Sequence, residues 1–183
     1  MKPALLILAL AAATVAGSAI AADYVQASGA LTFATKYQGE MFTGQFPGFR
    51  STLSFDPAAP QDARLDVVIP LAGTTTGNGE RDTTLKGNAF FDIARHAQAR
   101  YTAHGFRRTG DNRYLAEGTL TLRGVSRPVA LDITWQPGAR PVLAGRATVK
   151  RLDFGVGGGD WADTGILPDE VAVSTRVTFQ PAP

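Results

Sequence analysis

Apolar and polar residues alternate along most of this chain with a period of two. Leu31 and Phe33 are interleaved with Ala30, Thr32 and Ala34, and Leu53 and Phe55 with Thr52 and Ser54. Leu65, Val67, Ile69 and Leu71 alternate with Arg64, Asp66 and Pro70. The rhythm returns in Leu120 and Leu122, in Val129, Leu131, Ile133 and Trp135, and in Val171, Val173, Val177 and Phe179. Successive side chains of an extended strand point to opposite faces. The pattern therefore predicts half-buried antiparallel strands, one face inward and one wet. Turn residues fall between them: Pro47-Gly48, Asp56-Pro57, Gly110-Asp111-Asn112, Gly124 and Pro137-Gly138.

Two stretches depart from the rhythm. Residues 79–92 (GERDTTLKGNAFFD) begin polar and end in Phe90-Phe91, which predicts a short helix with Gly87 working against it. Residues 155–168 are irregular and carry Trp161. No repeat or low-complexity linker divides the chain. Many strands with so little helix leave a sandwich or a barrel. The inward positions favour the barrel, because they include Gly44, Ala103, Ala116, Gly118, Gly145 and Ala147 beside the large apolar residues. A packed core has little use for glycine where side chains should interdigitate, whereas a barrel around an elongated ligand does. The pattern counts eight or nine strands, and the expected fold class is all-β, an antiparallel β-barrel with a short helix inserted near residues 79–92.

The first residues read as an export signal. Lys2 precedes an uncharged apolar run from Ala4 to Val15, and Ala19-Ile20-Ala21 fits a signal-peptidase site. Residues 1–21 are thus the expected secretory signal peptide and residues 22–183 the working domain. Losing Lys2 takes one from the 18 basic residues and leaves a formal charge of +1 against 16 acidic ones. A balance so near neutral, without a basic stripe, argues against a nucleic-acid partner. The chain has no cysteine, so disulfides, thiolate metal sites, thiol catalysis and a lipid-modified N-terminal cysteine are all excluded.

Chemical motifs are scarce. Gly155-Val156-Gly157-Gly158-Gly159-Asp160 starts like a dinucleotide fingerprint but has Asp160 where the third glycine belongs, and no βαβ unit surrounds it. No serine occupies a G-x-S-x-G elbow. His96 and His104 are the only imidazoles; His104 shares the polar face of Arg100 and Thr102, and no metal is expected from this pair. The aromatic residues carry more. Phe42, Phe46 and Phe49 cluster around one hairpin, while Phe90 and Phe91 end the helical stretch. Such rings serve as core packing and equally as the walls of an apolar tunnel.

One hairpin stands out, within residues 117–133 (EGTLTLRGVSRPVALDI). Arg123 to Pro128 form a connection between two alternating runs, with Gly124 free to take a positive φ and Pro128 opening the second strand. Arg123 shares the outward parity of Thr119 and Thr121, so Arg123 and Arg127 are expected to pair with acidic side chains near the rim instead of holding a phosphate.

Several of these segments together resemble one family. Phe46-Pro47-Gly48-Phe49, then Leu53-Ser54-Phe55-Asp56-Pro57, looks like its G-x-F-x-x-F and F-D-P patterns. Arg81-Asp82, Leu85 and Phe90-Phe91-Asp92 resemble its R-D-x-x-L and F-F-D. Gly118 to Pro128 is similar to its G-x-L-T-x-R-G-V-x-R-P, and Arg151-Leu152-Asp153-Phe154-Gly155 to its R-x-D-F-G. The resemblance is to the YceI-like polyisoprenoid-binding proteins and runs from about Leu31 to Phe179. It implies a lipocalin-like antiparallel eight-stranded β-barrel in the bacterial periplasm, with an internal tunnel for an amphiphilic lipid such as an isoprenoid quinone or polyprenyl phosphate. It brings no catalytic residues and no required cofactor. Two departures stand out: Tyr37-Gln38 replaces a histidine common in relatives, and His96-Ala97 a proline.

The expected function is a periplasmic carrier or sequestering protein for a long-chain isoprenoid or similar amphiphile, in transient contact with a membrane. The expected walls of the tunnel are Phe33, Phe42, Phe46, Phe49, Leu71, Phe90, Phe91 and Trp161. Two rivals remain open. One is an enzyme on a small hydrophobic substrate, using Asp82, Asp92, Asp153 or His96 as acid or base. The other is an envelope stress module that works through protein contacts. A carboxylate in the tunnel with a raised pKa would favour the first, and an exposed apolar patch the second.

Overall fold

Extended backbone needs a hydrogen-bonding neighbour on each side, and this chain supplies it by closing on itself. The computed structural model describes residues 22–183, so the expected leader lies outside the described residues. The strands are β1 (Ala22–Tyr37), β2 (Glu40–Gln45), β3 (Arg50–Phe55), β4 (Arg64–Pro70), β5 (Gln98–Gly110), β6 (Arg113–Leu122), β7 (Val125–Gln136), β8 (Val142–Lys150) and β9 (Glu170–Pro181). One helix, α1 (Gly79–Lys86), separates β4 from β5. The sheet runs β2-β1-β3-β4-β5-β6-β7-β8-β9, all antiparallel, and β1 also pairs with β9. β2 and β3 share one side of β1, the first along Thr32–Tyr37 and the second along Ala22–Val25. Nine strand segments thus fill eight positions of a closed antiparallel barrel: the alternation predicted the antiparallel strands, and the resemblance their number and closure.

The short helix expected within residues 79–92 occupies its first eight residues, Gly79–Lys86. Asn78 caps it, its side chain accepting from the Arg81 N–H at 2.9 Å, with Glu80 and Asp82 in the first turn and Lys86 in the last. It ends at Gly87, whose N–H reaches back to Thr84, and the two phenylalanines lie in the turns that follow.

The hairpin between β6 and β7 is also tighter than expected. Only Arg123 (φ 51°) and Gly124 (φ 73°) form the turn, both left-handed, as a two-residue loop matched to strand twist requires. Ser126, Arg127 and Pro128 already pair with Thr121, Leu120 and Thr119. Pro128 therefore lies inside β7 instead of opening it. It is tolerated there because β7 meets β8 only from Asp132 to Gln136, leaving its first half without a ladder on that side.

The barrel ends differ. One holds the C-terminal ends of β3, β5 and β7 and is plugged by aromatic rings. Phe55 meets Trp135 and Tyr114 edge-on, each at 5.1 Å between centroids, and Phe106 at 5.4 Å; Tyr24 closes on Trp135 at 5.8 Å. The other end carries α1 and two irregular segments, residues 87–97 and 151–169, which form a lid.

Candidate functional site

The lid is built from polar ties at its edges. Asp82 accepts from the Thr75 hydroxyl at 2.8 Å and from both the N–H and the hydroxyl of Thr76 at 2.7 Å. The Thr76 hydroxyl above all, then Thr75 and the Thr76 N–H, holds its carboxyl below the ordinary carboxylate range. Arg81 stacks its guanidinium over Phe42, 4.2 Å from the ring centre. The two irregular segments join where the Gly157 N–H donates to Ala89 at 2.7 Å. Arg123 clasps both, donating to the carbonyls of Ala89, Phe90 and Gly155. Neither arginine of the hairpin has a carboxylate partner; Arg127 reaches only the carbonyl of Ser126. Among the described residues the ion pairs are Arg95–Asp92 and Arg100–Asp66. The expected acidic partners are replaced by carbonyls, since turns and the ends of short helices leave main-chain acceptors unpaired and a forked cation can satisfy several at once.

Under the lid lies a cavity of about 190 Å³ to which every strand, α1 and both lid segments contribute. Its wall is carbon almost throughout. Of the residues named as tunnel walls, Phe33, Phe42, Phe46, Phe49, Leu71, Phe90 and Phe91 line it. Phe33 packs on Phe46 at 5.2 Å and on Phe42 at 6.3 Å, and Phe46 on Phe91 at 5.9 Å, so β1, β2 and the lid share one aromatic layer. Trp161 does not line the cavity. It stands behind Phe90, ring centroids 5.2 Å apart, and against Tyr37 at 6.1 Å.

The small inward residues behave differently from expectation. Gly145 and Ala147 line the cavity. Gly44 and Gly118 do not leave open space, because a Cβ at Gly44 would overlap the Phe33 ring and one at Gly118 the Tyr101 ring. Ala103 and Ala116 are buried outside the cavity. Glycine here accommodates a neighbouring strand's aromatic ring.

Five polar residues on the wall, Thr35, Ser51, Tyr101, Arg151 and Thr175, escaped the sequence reading. Arg151 is only 4% exposed and donates to the carbonyls of Pro168, Val156, Gly157, Trp161 and Leu167, holding the 151–169 segment in its fold. Burial pushes its pKa down, and Asp169 partly opposes this. Its position at the end of β8, in the R-x-D-F-G stretch, was the available signal. Tyr101 crosses Gly118 and donates to the carbonyl of Val129 at 3.1 Å; burial pushes its hydroxyl up to about 12. The four groups considered for acid–base work, Asp82, Asp92, Asp153 and His96, lie off the cavity wall. Asp153 is exposed, and His96 packs beside Gly124.

A closed antiparallel barrel of eight strands, plugged at one end, lidded at the other and apolar inside, is an architecture that encloses a small ligand. The chain belongs to the YceI-like family, whose YceI-like domain matches residues 22–179. It is 31% identical over 171 residues to a UPF0312 protein of Pseudomonas savastanoi pv. phaseolicola, across 86% of this chain and 89% of the relative. It is 33% identical over 153 residues to a UPF0312 protein of Yersinia pestis, across 77% and 79%. Among solved structures, Burkholderia cenocepacia BcnA is similar with a TM-score of 0.79 and 28% identity, across 82% of this chain and 95% of that one. A polyisoprenoid binding domain from Saccharophagus degradans shares the fold, with a TM-score of 0.68 at 17% identity across 88% and 99%.

Proposed function

We propose that this protein is a periplasmic carrier or sequestering protein for a long-chain isoprenoid or similar amphiphile. The carbon-walled cavity beneath a polar-edged lid carries the proposal, and the fold shared with a polyisoprenoid binding domain of Saccharophagus degradans is consistent with it. Each methylene moved from water to such a wall contributes about 0.8 kcal/mol, so a dozen give a gross term near 10 kcal/mol. Immobilising the chain takes back part of this, yet enough remains for slow release. The cavity of about 190 Å³ is little larger than the roughly 150 Å³ that accepts one benzene. A long chain therefore enters by displacing lid and wall side chains, which makes the lid part of the binding step. Export rests on the signal-like residues 1–21, and a transient membrane contact would load and unload the lipid.

The test is extraction of native protein followed by lipid mass spectrometry, with intact mass of the periplasmic fraction. We expect an isoprenoid-type lipid and a chain beginning near residue 22. Protein that is reproducibly empty and ignores added quinone overturns the carrier reading.

A further inference from the structure

The polar residues of the cavity wall are committed to partners, with one exception. Arg151 is the only charged residue there, and its five N–H groups serve five main-chain carbonyls. Five donors are all that a guanidinium has. Turning it toward a ligand would strip the 151–169 segment of the bonds that shape it. The Ser51 hydroxyl donates to Gln26 Oε1 at 3.0 Å, that of Thr175 to the carbonyl of Ala30 at 2.9 Å, and that of Tyr101 to Val129. Thr35 differs. It lines the cavity, and its Oγ1 is buried without a hydrogen-bond partner. Thr35 lies on β1 at the lid end, paired with Phe42 and two residues beyond Phe33.

We infer that the cavity selects amphiphiles whose head is uncharged, such as the carbonyl of a quinone or the hydroxyl of an alcohol, and that the Thr35 hydroxyl bonds that head. The inference rests on the carrier reading and names its ligand class. A phosphate drawn into this wall would lose its water and find one hydroxyl and no uncommitted cation, which leaves most of its desolvation cost uncompensated. A carbonyl needs a single donor and finds it. An orphan hydroxyl in apolar surroundings is itself unfavourable, so a ligand that pairs with it removes a cost of the empty state. The head then sits beneath the lid, and the tail runs toward the aromatic plug.

The experiment measures affinities of the full mature chain for four probes of equal isoprenoid length: the hydrocarbon, the alcohol, the quinone and the monophosphate. The alcohol and quinone are expected to bind at least tenfold more tightly than the monophosphate, at low and at physiological salt. Thr35→Val, which keeps the shape and deletes the hydroxyl, should weaken the quinone about three- to tenfold and leave the hydrocarbon unchanged, and Thr35→Ser should restore the quinone. A monophosphate that binds as tightly as the alcohol overturns the inference while leaving the carrier reading intact. A Thr35→Val change that is equal for quinone and hydrocarbon also overturns it. If no probe binds, the carrier reading falls and this inference with it.

Discussion

The guanidinium of Arg123 donates to the main-chain oxygen of Phe90 across 2.8 Å, which fastens the tip of a hairpin to the lid of the barrel. The same nitrogen serves Ala89 and Gly155, so one side chain holds two segments that belong to no strand or α-helix. The turn places Arg123 at a φ of 51°, a conformation unfavourable for a long side chain, and these bonds offset it.

Arg123→Ala should therefore lower stability by about 1.5–3 kcal/mol, the range for hydrogen bonds to a charged group. Arg127→Ala, whose side chain reaches only the adjacent Ser126 carbonyl, should stay within about 0.5 kcal/mol of the parent. Urea unfolding of the two variants decides it, and equal losses would show that Arg123 is not a clasp.

Tyr101 and Gly118 should behave as a pair. Gly118→Ala places a methyl where the Tyr101 ring lies and is expected to cost about 1–3 kcal/mol. In a Tyr101→Ala background the same change should cost less but not nothing, because the ring is gone while the Thr102 carbonyl oxygen still lies 2.7 Å from the added methyl. A double-mutant cycle reads this coupling directly, and additive effects would refute it.

Alkaline pH should weaken the fold through the same tyrosine. Its hydroxyl is raised from 10.0 to about 12 by burial, so the folded state holds the proton more tightly than the unfolded chain. That contribution is complete below pH 10 and is lost as pH rises toward 12. Tyr101→Phe lacks this proton and should show a shallower decline of the unfolding midpoint across that window.

Acid pH should act on the lid. The Asp82 carboxyl is held below 3.8 by the Thr76 hydroxyl and its neighbours, so its contribution is present above pH 4 and lost as pH falls through the lowered value. The stability gap between parent and Asp82→Asn should be open at pH 7 and close in acid. A gap independent of pH would separate the carboxylate from lid anchoring.

Filling the cavity should empty it of lipid. Ala147 lines the wall on β8, and Ala147→Phe projects a ring into the enclosed space. Bound lipid is expected to fall several-fold while the variant still unfolds cooperatively, read by lipid mass spectrometry beside thermal unfolding. Unchanged lipid content would place the ligand elsewhere.

Much of this was legible in the amino-acid order. Alternation marks which face of each strand is buried, and the faces of Leu65, Ile69, Leu122, Ile133 and Val177 lie inside as expected. Of the eight residues named as tunnel walls from alternation and aromatic clustering, the structure places Phe33, Phe42, Phe46, Phe49, Leu71, Phe90 and Phe91 on the cavity wall. Trp161 was misplaced because it belongs to a segment with no period, where nothing in the sequence says which side of Phe90 it will take.

The order of residues by itself determined the strands, their inward faces and the turn positions, because these follow from local geometry repeated at short range, whereas the closure of the barrel came from the distant pairing of β1 with β9. Tertiary structure decided how far each side chain reaches across its neighbours. It alone shows that Phe33 covers Gly44, that Tyr101 covers Gly118, and that Arg151 turns its whole donor set on carbonyls instead of on the cavity. Such contacts join residues distant in sequence, and a period of two carries no record of them. The Arg123–Gly124 turn shows both levels: its glycine announced a reversal, while the partners of its arginine came from two segments folded onto it from elsewhere in the chain.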